Sequence, residues 1–171
     1  GTPSLTVSEN AVVKASGLNG GIGSNSSPVT PSGNGIVFDN GKGAVYGAVE
    51  LQKDLAIGEG ESLTIPDGAS LTIPQDTTLT NAGAVTVETN GTLTNNGTID
   101  NSGTVTNSGT LENTNGTINN SGTLSGDITG GTVNHKVTGV SLSKPNTTKT
   151  ARQTATLTAT VQPDNATHKT V

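Results

Sequence analysis

The sequence predicts an all-β chain: a single-stranded β-solenoid, that is, a parallel β-helix with three sides that narrows toward its C-terminal end. Three observations predict it. First, aliphatic residues recur at a short fixed interval. Leu55/Ile57, Leu63/Ile65 and Leu71/Ile73 come as pairs two apart, followed by Leu79 and by Val85 and Val87, and then by single residues, Leu93, Ile99, Val105, Leu111, Ile118 and Leu124. Residues two apart on a strand face the same way, so the early strands offer two inward side chains and the later ones a single aliphatic. Second, Gly97, Gly103, Gly109, Gly116 and Gly122 punctuate the later repeats, as expected of coil corners, and Asn95, Asn101, Asn107, Asn113 and Asn120 are equally suited to turns or to stacking from coil to coil. Third, charge placement selects the coil length. Asp100 and Glu112 are twelve apart and would stack as like charges in a flat two-sided coil. A coil of about eighteen residues instead places Thr94 on Glu112, Asp100 on Asn119 and Thr106 on Ser125, and fills a triangle with three aliphatic side chains. Wider coils, of about 24 residues, precede it, because the earlier repeats are longer.

A helix is excluded by the density of Gly, Thr and Asn and by an apolar interval of six, which follows no 3.6-residue stripe. Disorder fits less well than a thin regular core. Hydrophobic residues are 29% of the chain, but they are periodic, and the net charge is only −5.

Three segments separate by composition. Residues 1–56 begin with the strand-like SLTVSENAVVKAS, pass through a Gly-, Ser- and Asn-rich loop expected to be mobile, and continue in IVFDNG and GAVYGAVELQ. They are expected to form the first solenoid coils or a cap, with Gly41-Lys42-Gly43 as a hairpin turn. Residues 57–136 are the repetitive solenoid. Residues 137–171 change to strict alternation in TATLTATV, which places Leu157, Ala159 and Val161 on one face, followed by a turn at Pro163-Asp164-Asn165.

The last segment resembles the group 2 bacterial Ig-like domain of intimin-like and invasin-like surface proteins. The matching blocks are Val137-Thr138-Gly139-Val140-Ser141-Leu142, Ala155-Thr156-Leu157-Thr158-Ala159-Thr160-Val161 and Pro163-Asp164-Asn165-Ala166-Thr167-His168-Lys169-Thr170-Val171. The resemblance implies a partial Ig-like β-sandwich, about its first two strands and the following turn. Two departures stand out. Ala151-Arg152-Gln153 replaces the family's Val-Gly-Glu-like turn, and the family's Trp-containing strand does not follow. The expectation is a chain cut from a longer protein, its last residues partly disordered or paired with another chain. The repeat itself resembles the Thr- and Asn-rich solenoid stalks of bacterial surface proteins and autotransporter passengers. Together the two resemblances imply an extracellular or cell-surface location and a role as a structural stalk or adhesin segment.

Composition narrows the chemistry. Eight acidic residues and no Lys or Arg lie between Leu55 and His135. A nucleic-acid surface needs basic residues with stacking aromatics, and that footprint is missing. No run of about 18 apolar residues is present, so no membrane insertion is expected. Without Cys, a disulfide framework and a thiolate zinc site are excluded. Lyase chemistry wants a cationic residue beside an acidic cluster, and hydrolysis wants two facing carboxylates. The repeat has dispersed acids and no base, so no catalytic residue, cofactor or metal is expected, and the chain is read as not an enzyme. His135 and His168 read as surface residues. Glu59 and Glu61, on alternate positions, read as a solvated acidic edge rather than a cation site. The rival to a stalk is a glycan-binding module that uses either Phe38 and Tyr46, the only aromatic residues, or a solenoid face; its partner would be a host or environmental glycan. Ice binding by Thr ranks comes further down, because under an eighteen-residue coil only Thr104/Thr106 over Thr123/Ser125 keep hydroxyls in both ranks.

Overall fold

The computed structural model describes residues 4–18, 29–143, 156 and 158–167. Residues 19–28 of the Gly-rich loop, Ala151-Arg152-Gln153, Leu157 and His168 lie outside the described residues. The described residues contain strands and no helix. Three parallel sheets form the sides of a solenoid of about five coils. A five-stranded sheet stacks Leu55–Ile57, Thr78–Asn81, Thr98–Asn101, Thr117–Asn120 and Thr132–His135. A seven-stranded sheet carries Lys42–Tyr46, Ser62–Ile65, Ala84–Val87, Thr104–Asn107 and Thr123–Ser125 after two N-terminal strands, Val12–Ala15 and Gly35–Asp39. The third sheet stacks Ala48–Glu50, Ser70–Ile73, Thr92–Asn95 and Thr110–Glu112. The chain visits the three in rotation, contributing one strand per side.

The predicted register holds. Thr94 pairs with Glu112, Asp100 with Asn119, and Thr106 with Ser125, so Asp100 and Glu112 lie on different sides of the prism. The coil narrows stepwise. Leu55 lies under Leu79, 24 residues on, Leu79 under Ile99, 20 on, Ile99 under Ile118, 19 on, and Ile118 under Val133, 15 on. Coils of 20–22 residues thus bridge the wide and narrow ends, as Leu63↔Val85 and Leu71↔Leu93, both 22 apart, also show.

The reading of one inward side chain per later strand is corrected. Every later strand of full length still points two residues inward, and the second is asparagine. Ile57 is succeeded in its column by Asn81, Asn101, Asn120 and His135, and Ile73 by Asn95. Asn81, Asn95, Asn101, Asn107, Asn113 and Asn120 are all buried. None has the positive φ of a turn residue, which belongs instead to Asn10, Asn40, Asp76 and Asn90.

Corner length explains the exchange. Where an aliphatic residue ends the strand, the corner has four residues and closes its own hydrogen bond: Glu61 N to Gly58 O, Ala69 N to Pro66 O, Thr77 N to Pro74 O and Gly91 N to Glu88 O. Where asparagine ends the strand, the corner shrinks to two residues, Ala82-Gly83, Asn96-Gly97, Ser102-Gly103, Ser108-Gly109 or Ser121-Gly122. Asn113 is the exception, since its corner keeps a four-residue turn through Gly116 N to Asn113 O. A two-residue corner leaves inward-facing backbone groups without local partners, and buried backbone polar groups must be paired. The asparagine amides pair them. Asn81, Asn95, Asn101 and Asn113 each donate through Nδ2 to the carbonyl that opens a strand of the next coil, those of Thr104, Thr117, Thr123 and Thr132, at 2.9–3.1 Å. The Oδ1 atoms of Asn95 and Asn107 accept from Gly97 N and Gly109 N. The amides also bond to one another: Asn81 Nδ2 to Asn101 Oδ1 at 2.8 Å, Asn101 Nδ2 to Asn120 Oδ1 at 2.7 Å, and Asn95 Nδ2 to Asn113 Oδ1 at 2.7 Å.

The corner glycines have a different physical basis from the one expected. Gly103 and Gly122 have no positive φ. A Cβ on Gly103 would overlap the carbonyl oxygen of Gly83, and one on Gly122 that of Gly103, so close stacking of corners excludes a side chain. The same corners are stitched by Thr104 N to Gly83 O at 2.9 Å and Thr123 N to Gly103 O at 2.8 Å.

The N-terminal end reverses direction. Gly35–Asp39 runs antiparallel to Lys42–Tyr46 across the two-residue loop Asn40-Gly41, both with positive φ (50° and 78°), the pattern of a type I′ hairpin. A hairpin is therefore present as predicted, but its turn is Asn40-Gly41 rather than Gly41-Lys42-Gly43, since Lys42 and Gly43 already belong to the returning strand. Phe38 lies opposite Gly43, and its ring occupies the space a Gly43 side chain would need, which closes the end of the core. At the other end Gly139–Leu142 and Ala159–Gln162 form one antiparallel pair with Val140 and Leu142 exposed. Among the described residues no second sheet packs on this pair. The predicted turn at Pro163-Asp164-Asn165 brings Thr167 to the last solenoid strand, where Thr167 N donates to His135 O at 3.1 Å.

Removing a buried amide strands the partners it leaves behind, at about 1–3 kcal/mol for each unsatisfied group. Asn101→Ala is therefore expected to lower stability by about 2–4 kcal/mol in urea unfolding, whereas Asn119→Ala, one outward neighbour away, costs about 0.5–1 kcal/mol. Gly103→Ala is expected to cost about 1–3 kcal/mol in the same measurement, because the coils must separate to admit a methyl group.

Candidate functional site

The two aromatic candidates are not brought together. On the N-terminal hairpin Phe38 pairs with Gly43 and Tyr46 with Gly35, near opposite ends of the register. Phe38 is 1% exposed and belongs to the core, so its ring offers no stacking platform. Lys14 Nζ lies 5.1 Å from the Phe38 ring centroid, within cation–π range. Tyr46 is half-buried on the outward side and borders a shallow hollow with Leu18, Val29, Pro31 and Lys42. Burial raises the pKa of its phenol above the ordinary 10.0.

Glu59 and Glu61 occupy the four-residue corner Gly58–Glu61 rather than alternate strand positions. Glu61 Oε2 accepts from Gly58 N at 2.8 Å, and Lys14 Nζ approaches Oε1 at 3.3 Å. The backbone hydrogen bond from Gly58, then the Lys14 hydrogen bond, hold its carboxyl below the ordinary 4.5. Glu61 is thus a corner clamp between the N-terminal cap and the first coils. No group of three His, Asp or Glu side chains suited to a metal occurs among the described residues.

His135 departs from the surface role expected of it. It is half-buried as the last member of the interior column, with Nδ1 3.4 Å from Asn120 Nδ2.

The outward faces differ in chemistry. On the seven-stranded sheet the predicted ranks Thr104/Thr106 and Thr123/Ser125 are in register, and two further ranks, Ser62/Thr64 and Ala84/Thr86, extend them. The five-stranded sheet carries an outward column that the sequence reading missed. Thr80, Asp100, Asn119 and Asn134 stack in register, with Asn134 Nδ2 donating to Asn119 Oδ1 at 2.9 Å and Asn119 Nδ2 to Asp100 Oδ1 at 2.8 Å. The column borders a groove of about 510 Å³ whose other wall is the corner residues Ser102 and Ser121 and whose end is closed by Lys136, Val137 and Thr167. The signal available in the sequence is the nineteen-residue step from Asp100 to Asn119, which sets the coil length and also stacks the two side chains.

In comparisons with family models, with curated proteins and with solved structures, the chain matches none, so the Ig-like and stalk resemblances rest on the residues quoted for them.

Glu61→Gln keeps the shape of the corner and removes the charge that Gly58 N and Lys14 favour. A carboxyl whose folded pKa is depressed contributes stability above its unfolded pKa and loses it as pH falls through the folded value. The stability difference between the native chain and Glu61→Gln, about 0.5–1 kcal/mol, is therefore expected to be full at pH 7 and to vanish in acid, below the ordinary carboxyl value of 4.5. Urea titrations at pH 7 and pH 3 measure it.

Proposed function

We propose that the chain is a structural segment, a rigid stalk or adhesin body, of a secreted or wall-attached bacterial surface protein, with the solenoid leading into an Ig-like spacer. The observation that supports the reading most is the uninterrupted ladder. Each coil from Lys42 onward hydrogen-bonds to the next on its three sides, and the amide columns repeat that bonding inside. Each coil adds about 4.8 Å, so five coils span about 24 Å without a hinge. The outer surface is built mostly of Thr, Ser and Asn, which keeps exposed strands hydrated. The Ig-like resemblance of residues 137–171 supports the extracellular placement, and the pair Gly139–Leu142 with Ala159–Gln162 is antiparallel, as the first strands of such a sandwich are.

A stalk is modular where an active site is not. Inserting a second copy of residues 82–101, one complete coil, after Asn101 is expected to leave cooperative melting intact and to lengthen the particle by about 4.8 Å per copy. With three added copies the increase of about 14 Å is measurable by small-angle X-ray scattering. A maximum dimension that fails to grow, or loss of cooperative melting, counts against the reading. No turnover is expected on neutral or uronate polysaccharides; release of reducing ends or unsaturated products would move the chain among the enzymes.

A further inference from the structure

From the groove beside the outward Asp100–Asn119–Asn134 column, we infer that the five-stranded face binds a short oligosaccharide. The column is pre-oriented. An ionised carboxylate only accepts, so Asp100 fixes Asn119 with its amide nitrogen turned toward Asp100, and Asn119 fixes Asn134 in the same sense. Each amide nitrogen uses one of its two hydrogens in the column. The second hydrogens of Asn119 and Asn134, with Asp100 Oδ2 and Asn134 Oδ1, are not used in the column, so its groove-lining residues offer both donors and acceptors. Across the groove, the Ser102 and Ser121 hydroxyls donate to Asn81 O and Asn101 O, both at 3.3 Å, so their oxygens are left as acceptors. The end wall is held by two bonds between Thr167 and the last strand, His135 N to Thr167 Oγ1 at 2.7 Å and Thr167 N to His135 O.

This pattern selects a ligand by elimination. A volume of about 510 Å³ is in the range of small-ligand sites. No Phe, Tyr or Trp side chain lines it and the His135 ring is turned to the Asn120 amide, which disfavours base stacking. Its charged lining is one cation, Lys136, and one anion, Asp100, which disfavours a polyphosphate. Thr98–Asn101 and Thr117–Asn120 are paired on both sides within the sheet, and the outer edge of Thr132–His135 is taken up by Thr167 at Val133 O and at His135 N and O, so an extended peptide finds little edge to join. A chain of hydroxyls, each able to donate and accept, satisfies both walls at once. Sugar hydroxyls meet the amide column on one side and the serines on the other, and Lys136 is placed to favour a sugar carboxylate at the closed end. The site is independent of the stalk reading, since it needs only the rungs from Thr80 to Lys136.

The test is a ¹⁵N-resolved NMR titration of the whole chain with three probes: cellotriose, chitotriose and trigalacturonate. Saturable shifts of the Asn119 and Asn134 side-chain amides are expected with at least one probe. Asn119→Ala is expected to weaken that binding at least ten-fold, while Thr106→Ala, on another face, leaves it unchanged. Lys136→Ala should weaken trigalacturonate selectively. The absence of saturable shifts with all three probes, or binding that persists in a folded Asn119→Ala chain, overturns the inference. The scattering increment of the lengthened solenoid is unaffected by either outcome, so failure of the groove and failure of the stalk are told apart.

Discussion

The narrow part of this solenoid depends on the primary amides buried at strand ends, those of Asn81, Asn95, Asn101, Asn107, Asn113 and Asn120. A two-residue corner saves length at every side of the coil, but it turns backbone groups into an interior that has no water to satisfy them. An aliphatic side chain cannot answer them. Asparagine is short enough to remain inside the coil and has two donors and an acceptor. Asn101 illustrates the full use: it accepts from Asn81, donates to Asn120 Oδ1 and donates again to Thr123 O. The six-residue interval, the glycine that follows and the loss of the second aliphatic are consequences of that one arrangement.

The inner and outer columns run with opposite polarity, and each has an identifiable origin. Inside, the amide nitrogens of Asn81, Asn95, Asn101 and Asn113 also reach a strand-opening carbonyl of the next coil, which points the donors toward the C-terminal end. Outside, no such carbonyl competes, and the acceptor-only Asp100 draws the donors of Asn119 and Asn134 the other way. The inner column carries a cost at its first rung, because Asn81 lies against Ile57 and its Oδ1 is buried without a partner among the described residues. At its last rung the column passes to His135, whose ring nitrogen replaces another amide oxygen. Cohesion is thus directional, from one coil to the next, as in other quasi-one-dimensional repeat folds.

Much of this was legible in the sequence. The fold class, the three sides, the narrowing and the pairing of Asp100 with Asn119 follow from the aliphatic interval and from keeping Asp100 off Glu112. The coil-to-coil stacking expected of the asparagines is present and the turn role is not; their place inside the coil escapes a hydrophobic periodicity, which scores them as surface. Their position carried the right signal: Asn95 stands two residues after Leu93, as Ile73 stands two after Leu71, and strand parity puts both inside. The corner glycines were recognised for the wrong reason, since what removes the side chain at Gly103 is the approach of the Gly83 carbonyl, a three-dimensional fact. The glycan candidates at the aromatics were legible as residues and not as a site. Phe38 is core because Gly43 opposite leaves room for its ring, and no local pattern distinguishes that vacancy from a flexible turn.

The two ends of the solenoid answer a common problem differently. A terminal coil exposes strand edges and the last inward side chains, which invites pairing with other chains. At the N-terminal side the chain doubles back, so an antiparallel strand lies on the first coil, Phe38 and Ile36 fill the opening, and Lys14 sits over the Phe38 ring within reach of Glu61. At the C-terminal side the coil contracts until its aliphatic residues, Leu124, Ile128 and Val133, are only partly buried. There the main-chain bond between Thr167 and His135 continues the five-stranded side, and that same contact forms the end wall of the groove. Contraction leaves less core toward that end, and buried amides rise from Asn81 in one coil to Asn95 and Asn101 in the next and to Asn107, Asn113 and Asn120 in the coil before the terminal one. Polar cohesion therefore replaces hydrophobic burial progressively along the axis, which is how a chain with so few aliphatic residues keeps a continuous ladder.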